Sequence, residues 1–169
     1  MIYINIGSNL SSPFGDRVCN IKETIKLISK IAKIIKVSDF FESPSYPNDK
    51  LPKYLNVSLE IKFLKKPKDL LKELLKIEKK IFRRRMYKNA PRTCDIDIID
   101  FEGMIFNSSS FKLPHPRAHL RSFVLIPLKQ IAPKWRHPKL NKKIEVLIQE
   151  LSLKSRNEIT RLKESAIIN

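Results

Sequence analysis

The sequence predicts an α+β fold, a ferredoxin-like sandwich in which helices cover a largely antiparallel sheet. Two segments alternate apolar and polar residues with the period of a strand, and two others repeat apolar residues every three to four positions, as a helix packed on a sheet does. Their order, β, α, β, β, α, β, α, α, belongs to a split βαβ arrangement rather than to a parallel doubly wound sheet. With 169 residues, 42% of them hydrophobic, the chain is long enough for one substantial core.

Ile2, Ile4 and Ile6 alternate with Tyr3 and Asn5 and run into Gly7-Ser8-Asn9, which predicts a strand ending in a turn. Over 14–33, Val18, Ile21, Ile25, Ile28 and Ala32 form a helical stripe. Residues 34–43 are rich in strand formers, and 45–53, with Pro47, Asn48, Asp49 and Pro52, predicts a mobile loop. In 54–63 the odd positions from Leu55 to Phe63 are apolar and the even ones from Tyr54 to Lys62 polar, so one face should be buried and the other polar. Pro67 suits a first helical turn, and Leu70, Leu74, Ile77 and Ile81 continue that helix to about residue 82. A cationic loop, 83–90, then feeds a strand over 94–101; helices follow over 123–131 and 144–151. The division expected is a single domain over 1–153 and a polar C-terminal tail over 154–169.

Composition excludes several classes. Three glycines, Gly7, Gly15 and Gly103, cannot write a Walker loop or a dinucleotide fingerprint, so a nucleotide must be held by side chains and metal. Cys19 and Cys94 are too few for a disulfide framework or a zinc cluster, and reduced thiols are expected. No apolar run reaches the ~18 residues of a membrane span and the first residues lack a signal-peptide pattern, which predicts a soluble cytoplasmic protein. The net charge of +17 suits a nucleic-acid binder, yet the lysines spread along nearly every segment, mostly on helix faces that solvent can cover.

The sharpest chemical signal is Asp95-Ile96-Asp97. On a strand both carboxylates face one side, about 5 Å apart, and repel by ~3 kcal/mol at an effective dielectric of 20. Two edge-strand solubilising charges would look the same. The neighbourhood argues otherwise, because Arg92 lies just upstream and Arg83, Arg84, Arg85 and Lys88 crowd the preceding loop. Carboxylates for magnesium and guanidiniums for phosphate are the two halves of a phosphoryl-transfer site. Pro114-His115-Pro116-Arg117, followed by Arg121 and Phe123, stiffens the chain around a histidine.

Taken together, Lys88-Asn89-Ala90-Pro91-Arg92-Thr93-Cys94-Asp95-Ile96-Asp97-Ile98-Ile99 resembles the signature of 6-hydroxymethyl-7,8-dihydropterin pyrophosphokinases. Ile6-Gly7-Ser8-Asn9-Leu10, Ser43-Pro44, Tyr54-Leu55-Asn56, Ile77-Glu78 and Leu113-Pro114-His115 match in the family's order, over roughly 2–150. The resemblance implies that diphosphate passes from ATP to the pterin hydroxymethyl group in folate biosynthesis, leaving AMP. It implies two magnesium ions on Asp95 and Asp97, and Arg83, Arg92 and Arg121 acting on the moving diphosphate. Glu78, Arg85, Ile98, His115 and Arg121 would bind ATP; Ser43, Pro44, Tyr54, Asn56 and Phe123 would form the pterin slot. Partners would be these small molecules alone, with no membrane and no specific nucleic acid, and the protein a monomer. Phe82 departs from the pattern, standing where the family commonly has glycine, and the loop tryptophan is absent, Tyr87 or Asn89 being its candidate substitutes. Loops 45–53 and 83–90 are expected to close over the substrates. Two rivals remain: a nucleotidyltransferase, in which the Gly-Ser turn and Asp-x-Asp strand lie close together, whereas here nearly half the chain separates Ser8 from Asp95, and an RNA-binding ferredoxin-like protein, which should cluster exposed aromatics on its central strands.

Overall fold

The computed structural model describes residues 1–46, 48–83, 90–162 and 166. Strand β1 (Ile2–Ser8) is central, pairing antiparallel with β4 (Tyr54–Lys62) on one side and β5 (Asp95–Phe101) on the other. The outer edge of β4 is shared. Strand β2 (Lys33–Val37) pairs with its C-terminal half and β3 (Phe41–Ser43) with its N-terminal half, both antiparallel. The segment 34–43, expected as one strand, is therefore broken in two. Ser38 causes the break: its N–H donates to Ser58 O and its Oγ accepts from Ser58 N, both at 2.9 Å, while Phe40 turns fully into the core.

Helices α1 (Arg17–Ser29) and α2 (Pro67–Lys80) pack side by side on one face of the sheet. The main core lies there, with Ile2, Ile4 and Ile6 against Ile21, Ile25, Ile28, Leu70, Leu74 and Ile77. The period-two alternation of β1 and the 3.6-residue stripes of the helices meet as the sequence requires.

The opposite face holds a correction. The face of β4 expected to be polar, against a buried one, is itself covered: Ser58 and Glu60 are buried. Helix α3 (Ser122–Ile131) lies over it, and α4 (Ile144–Glu150) packs on α3. A second apolar cluster forms beneath them from Tyr3, Ile99, Val124, Leu125, Leu128, Trp135, Ile144 and Leu147. Polar groups under this layer are largely paired: Ser58 Oγ donates to Asn5 Oδ1 at 3.2 Å and Lys36 Nζ lies 3.3 Å from Glu60 Oε2, although Glu60 Oε1 is buried with no hydrogen-bond partner among the described residues.

A small hairpin, β6 (Phe106–Asn107) with β7 (Lys112–Leu113), follows β5. Beyond α4, the residues expected as a polar tail include a short helix α5 (Leu153–Asn157) and a strand β8 (Thr160–Arg161) paired with β3. Leu162 N donates to Phe40 O at 2.9 Å and Ala166 is fully buried, so this segment completes a sheet edge that would otherwise leave main-chain groups unpaired.

Candidate active site

At the end of the sheet where β1 finishes and β4 and β5 begin, the alternation of β5 separates two tasks. Ile96 and Ile98 enter the main core, while Asp95 and Asp97 face the other way, opposite Gly7 and Asn5 of β1. Gly7 matters here for the space it leaves. A Cβ at that position would lie 3.5 Å from Asn56 Oδ1 and 3.5 Å from the Tyr54 ring, filling the floor between Asp95 and β4.

The cations converge on the carboxylates from three segments. Arg83 Nη2 lies 2.7 Å from Asp95 Oδ1 and its Nη1 is paired to Glu78. Arg92 Nη1 donates to Asp95 Oδ2 at 2.9 Å and its Nε to Tyr54 OH at 3.0 Å. Arg121 Nη1 lies 3.3 Å from Asp97 Oδ2, with its guanidinium 5.4 Å from the centre of the Phe123 ring. Even so, burial pushes the Asp95 carboxyl above the usual carboxylate range, the charge of Asp97 adds to that, and Arg83, Arg92 and Arg121 oppose it.

His115 reaches the same site from a loop tied to β5, its N–H donating to Ile99 O at 2.9 Å. Its Nε2 stands 3.8 Å from Asp97 Oδ2. Burial, then Arg121 and Arg117, pull its pKa down to about 4, so it is neutral at pH 7. Because its Nδ1 accepts from Arg117 N at 3.2 Å, the proton of that neutral ring resides on Nε2, facing Asp97.

The residues expected around the pterin form the neighbouring wall. Asn56 Nδ2 donates to Ser43 Oγ at 2.9 Å and to Phe41 O at 3.3 Å, which leaves Oδ1 over Gly7 as an acceptor. Tyr54 is partly buried beside it, and Pro44 follows Ser43 half-buried. Two expected ATP contacts do not present side chains to this space. Ile98 is buried in the main core. Glu78 is buried, and its Oε1 is engaged by Ile96 N at 2.8 Å as well as by Arg83, so it acts on the site through Arg83. Arg85, with the rest of 84–89, lies outside the described residues.

The motif Gly7-Ser8-Asn9 carries more than its resemblance indicated. Asn9 is buried, its Oδ1 accepts from Arg92 N at 2.7 Å and its N–H donates to Arg92 O at 3.0 Å. Its Nδ2 also donates to Pro52 O at 2.9 Å and Ser45 Oγ at 3.2 Å, so one side chain ties the arginine to the ends of the 45–53 loop. Ser8 Oγ donates to Thr93 O at 2.7 Å. A buried Asn in a turn after a strand is the signal that could have disclosed this. The loop expected to be mobile is fastened at its two ends, at Ser45 and Pro52.

Among the described residues no group of three or more His, Cys, Asp or Glu could hold a metal ion. Asp95 and Asp97 offer two carboxylates only, a donor set that suits a hard ion completing its shell with phosphate oxygens and water.

The family model for 7,8-dihydro-6-hydroxymethylpterin-pyrophosphokinase matches residues 3–133. The chain is 31% identical over 153 residues to a 2-amino-4-hydroxy-6-hydroxymethyldihydropteridine pyrophosphokinase of Aquifex aeolicus, covering 90% of this chain and 93% of that protein. It is 37% identical over 142 residues to the folic acid synthesis protein FOL1 of Dictyostelium discoideum, covering 83% of this chain but only 21% of that longer protein. Among solved structures, a Plasmodium falciparum HPPK-DHPS triple mutant with pteroate superposes with a TM-score of 0.71 at 14% identity, over 95% of this chain and 46% of that one, a likeness of fold. With two aspartates and their arginines standing inside the matched stretch, the chain belongs to the 7,8-dihydro-6-hydroxymethylpterin-pyrophosphokinase family.

Proposed function

We propose that the cleft between Asp95, Asp97 and the Asn56 wall is where diphosphate passes from ATP to the hydroxymethyl group of 6-hydroxymethyl-7,8-dihydropterin, in tetrahydrofolate biosynthesis. Family membership makes the chain an ATP-dependent diphosphokinase. The observation that carries the placement is the pairing of Arg83, Arg92 and Arg121 with the two aspartates.

Asp95 and Asp97 would hold magnesium together with phosphate oxygens; bound there, the metal would offset phosphate charge and align the phosphate chain. The arginines are paired with these carboxylates, and a guanidinium keeps a fork equally suited to phosphate. Arg92 and Arg121 thus stand ready to turn from aspartate to diphosphate, where charge builds in the transition state, and Arg83, held between Glu78 and Asp95, to meet it in place. Arg85 is assigned to ATP on the resemblance alone. Neutral His115 can donate from Nε2 to a phosphate without adding charge.

On the other wall, Asn56 Oδ1 is free to accept from an amide-like N–H of the pterin. Tyr54 and Phe123 offer aromatic faces, and Ser43 and Pro44 border the slot. The hydroxymethyl oxygen then bonds to the β-phosphorus, the bond from that phosphorus to the oxygen shared with the α-phosphate breaks, and the hydroxyl proton is released. The products are AMP and the pterin diphosphate, and catalysis comes from alignment and charge stabilisation without a covalent enzyme intermediate.

The reading is of a monomer acting on small molecules in the cytoplasm; no helix among the described residues is long and apolar enough to cross a membrane. Nothing in the fold or the relatives favours RNA binding. The test is to incubate the protein with magnesium, ATP and the reduced pterin and to resolve the nucleotides. AMP formed in step with pterin consumption is expected; ADP, or no turnover without loss of fold, would sink the assignment.

A further inference from the structure

We infer that Phe14 and Phe82 form an aromatic clamp that positions Arg83 for diphosphate transfer; this rests on the role proposed for Arg83. Helix α2 ends in a turn of the Schellman type, with Phe82 N donating to Lys79 O at 3.0 Å and Arg83 N to Glu78 O at 3.1 Å. The residue at its pivot adopts φ of 60°, a left-handed conformation that glycine adopts freely and a phenylalanine does not. Here that conformation throws the Phe82 ring onto Phe14, with centroids 5.9 Å apart and planes tilted by 56°.

Phe14 is itself presented by a rigid turn. Ser12 and Gly15 exchange main-chain bonds of 2.8 and 2.9 Å, Phe14 N donates to Ser12 Oγ at 3.1 Å, and Gly15 sits at φ 123° where a Cβ would press on Cys19 at 3.0 Å. Phe14 is 45% exposed and Phe82 48%, so core burial does not account for the contact. What it does is lock the end of α2 to the loop after β1. The same loop grips Arg92 through Asn9. Arg83 follows Phe82 directly and has little latitude, its side chain being 9% exposed, forked between Glu78 and Asp95, and left with a buried Nε that has no partner among the described residues. A shift of the turn would move the fork off Asp95 and off any phosphate beside it. Phe14 and Phe82 are thus positioning residues, with Arg83 the group that touches substrate.

The experiment compares Phe14→Ala, Phe82→Gly, the double variant and Phe14→Tyr for kcat, KM of each substrate and melting temperature. Phe82→Gly keeps the left-handed turn and removes only the ring. Each single variant should lower kcat about fivefold with KM for the pterin within about twofold. The double variant should be no worse than either single, because both break one contact. Phe14→Tyr should keep kcat within about twofold of the wild type. Silent single variants, losses that multiply in the double, or equal losses in kcat and both KM values with a lowered melting temperature would overturn the clamp. Arg83→Gln, measured alongside, separates the two claims: a large loss there with silent phenylalanine variants removes the clamp alone, whereas an active Arg83→Gln enzyme removes the role of Arg83 and the clamp with it.

Discussion

Strand β5 carries two kinds of acid, the half-buried Asp95 and Asp97 and the buried Asp100. Asp95 and Asp97 are held by the guanidiniums of Arg83, Arg92 and Arg121, groups whose charge and fork suit other anions as well. Asp100, three residues beyond Asp97, accepts instead from Trp135 Nε1 at 2.8 Å and from Gly103 N at 2.9 Å. Burial pushes both Asp95 and Asp100 above the ordinary carboxylate range. The charge of Asp97 adds to the shift at Asp95, whereas at Asp100 the Trp135 and Gly103 donors oppose it. The difference separates a site from a fastening. Charged partners can be exchanged for phosphate and metal; an indole N–H packed in the second apolar cluster can only hold its carboxylate in place.

The sharpest way to break this contrast is to remove each acid in turn. Asp95→Ala or Asp97→Ala should lower turnover at least ~100-fold, as several kcal/mol of transition-state stabilisation disappear, without lowering the melting temperature. Steady-state AMP formation beside a thermal melt checks both; a folded variant keeping more than about a tenth of the activity would place the chemistry elsewhere.

Asp100→Ala should do the reverse. The buried Trp135 N–H loses its acceptor, as does the Gly103 N–H at the surface, at a cost of about 1–3 kcal/mol, while turnover stays within about threefold of the wild type. Urea unfolding followed by assay of the folded fraction distinguishes the two acids, and a selective loss of turnover at unchanged stability would erase the distinction.

A smaller effect sharpens the structural half. His137 stacks edge-on against Trp135, the partner of Asp100, with centroids 5.7 Å apart, and burial, then His119, pull its pKa down to about 4. Its folded pKa lies below the ~6.5 of an unfolded histidine, so the folded state binds the proton less tightly. The stabilisation is complete above pH 6.5 and is lost as pH falls towards 4. Between pH 7 and pH 5.5 the loss should be about 1 kcal/mol, and His137→Phe should flatten that slope. An unchanged slope would assign the acid sensitivity to other groups.

Much of this was legible in the chain itself. The period-two runs of β1 and β4, the helical stripes of α1 and α2 and the Asp95-Ile96-Asp97 alternation are local patterns, and each maps onto its element because a strand or a helix has one repeat. The arginine-rich approach to β5 likewise announced phosphate chemistry, since charge density is a property of sequence. Ile98 entered the expected site by resemblance alone, although the alternation that aims Asp95 and Asp97 outwards aims Ile98 into the core.

Only the tertiary structure decided what lies on the far face of the sheet. The even positions of β4 read only as a polar face, because nothing in their spacing shows that α3, far later in the chain, covers them. The same limit applies to partners distant in sequence: Asn9 with Arg92, Phe14 with Phe82, β8 with β3 and Trp135 with Asp100. Periodicity reports which way a side chain points. Which group it meets depends on how separate elements pack, and that is set by the closing of the whole core.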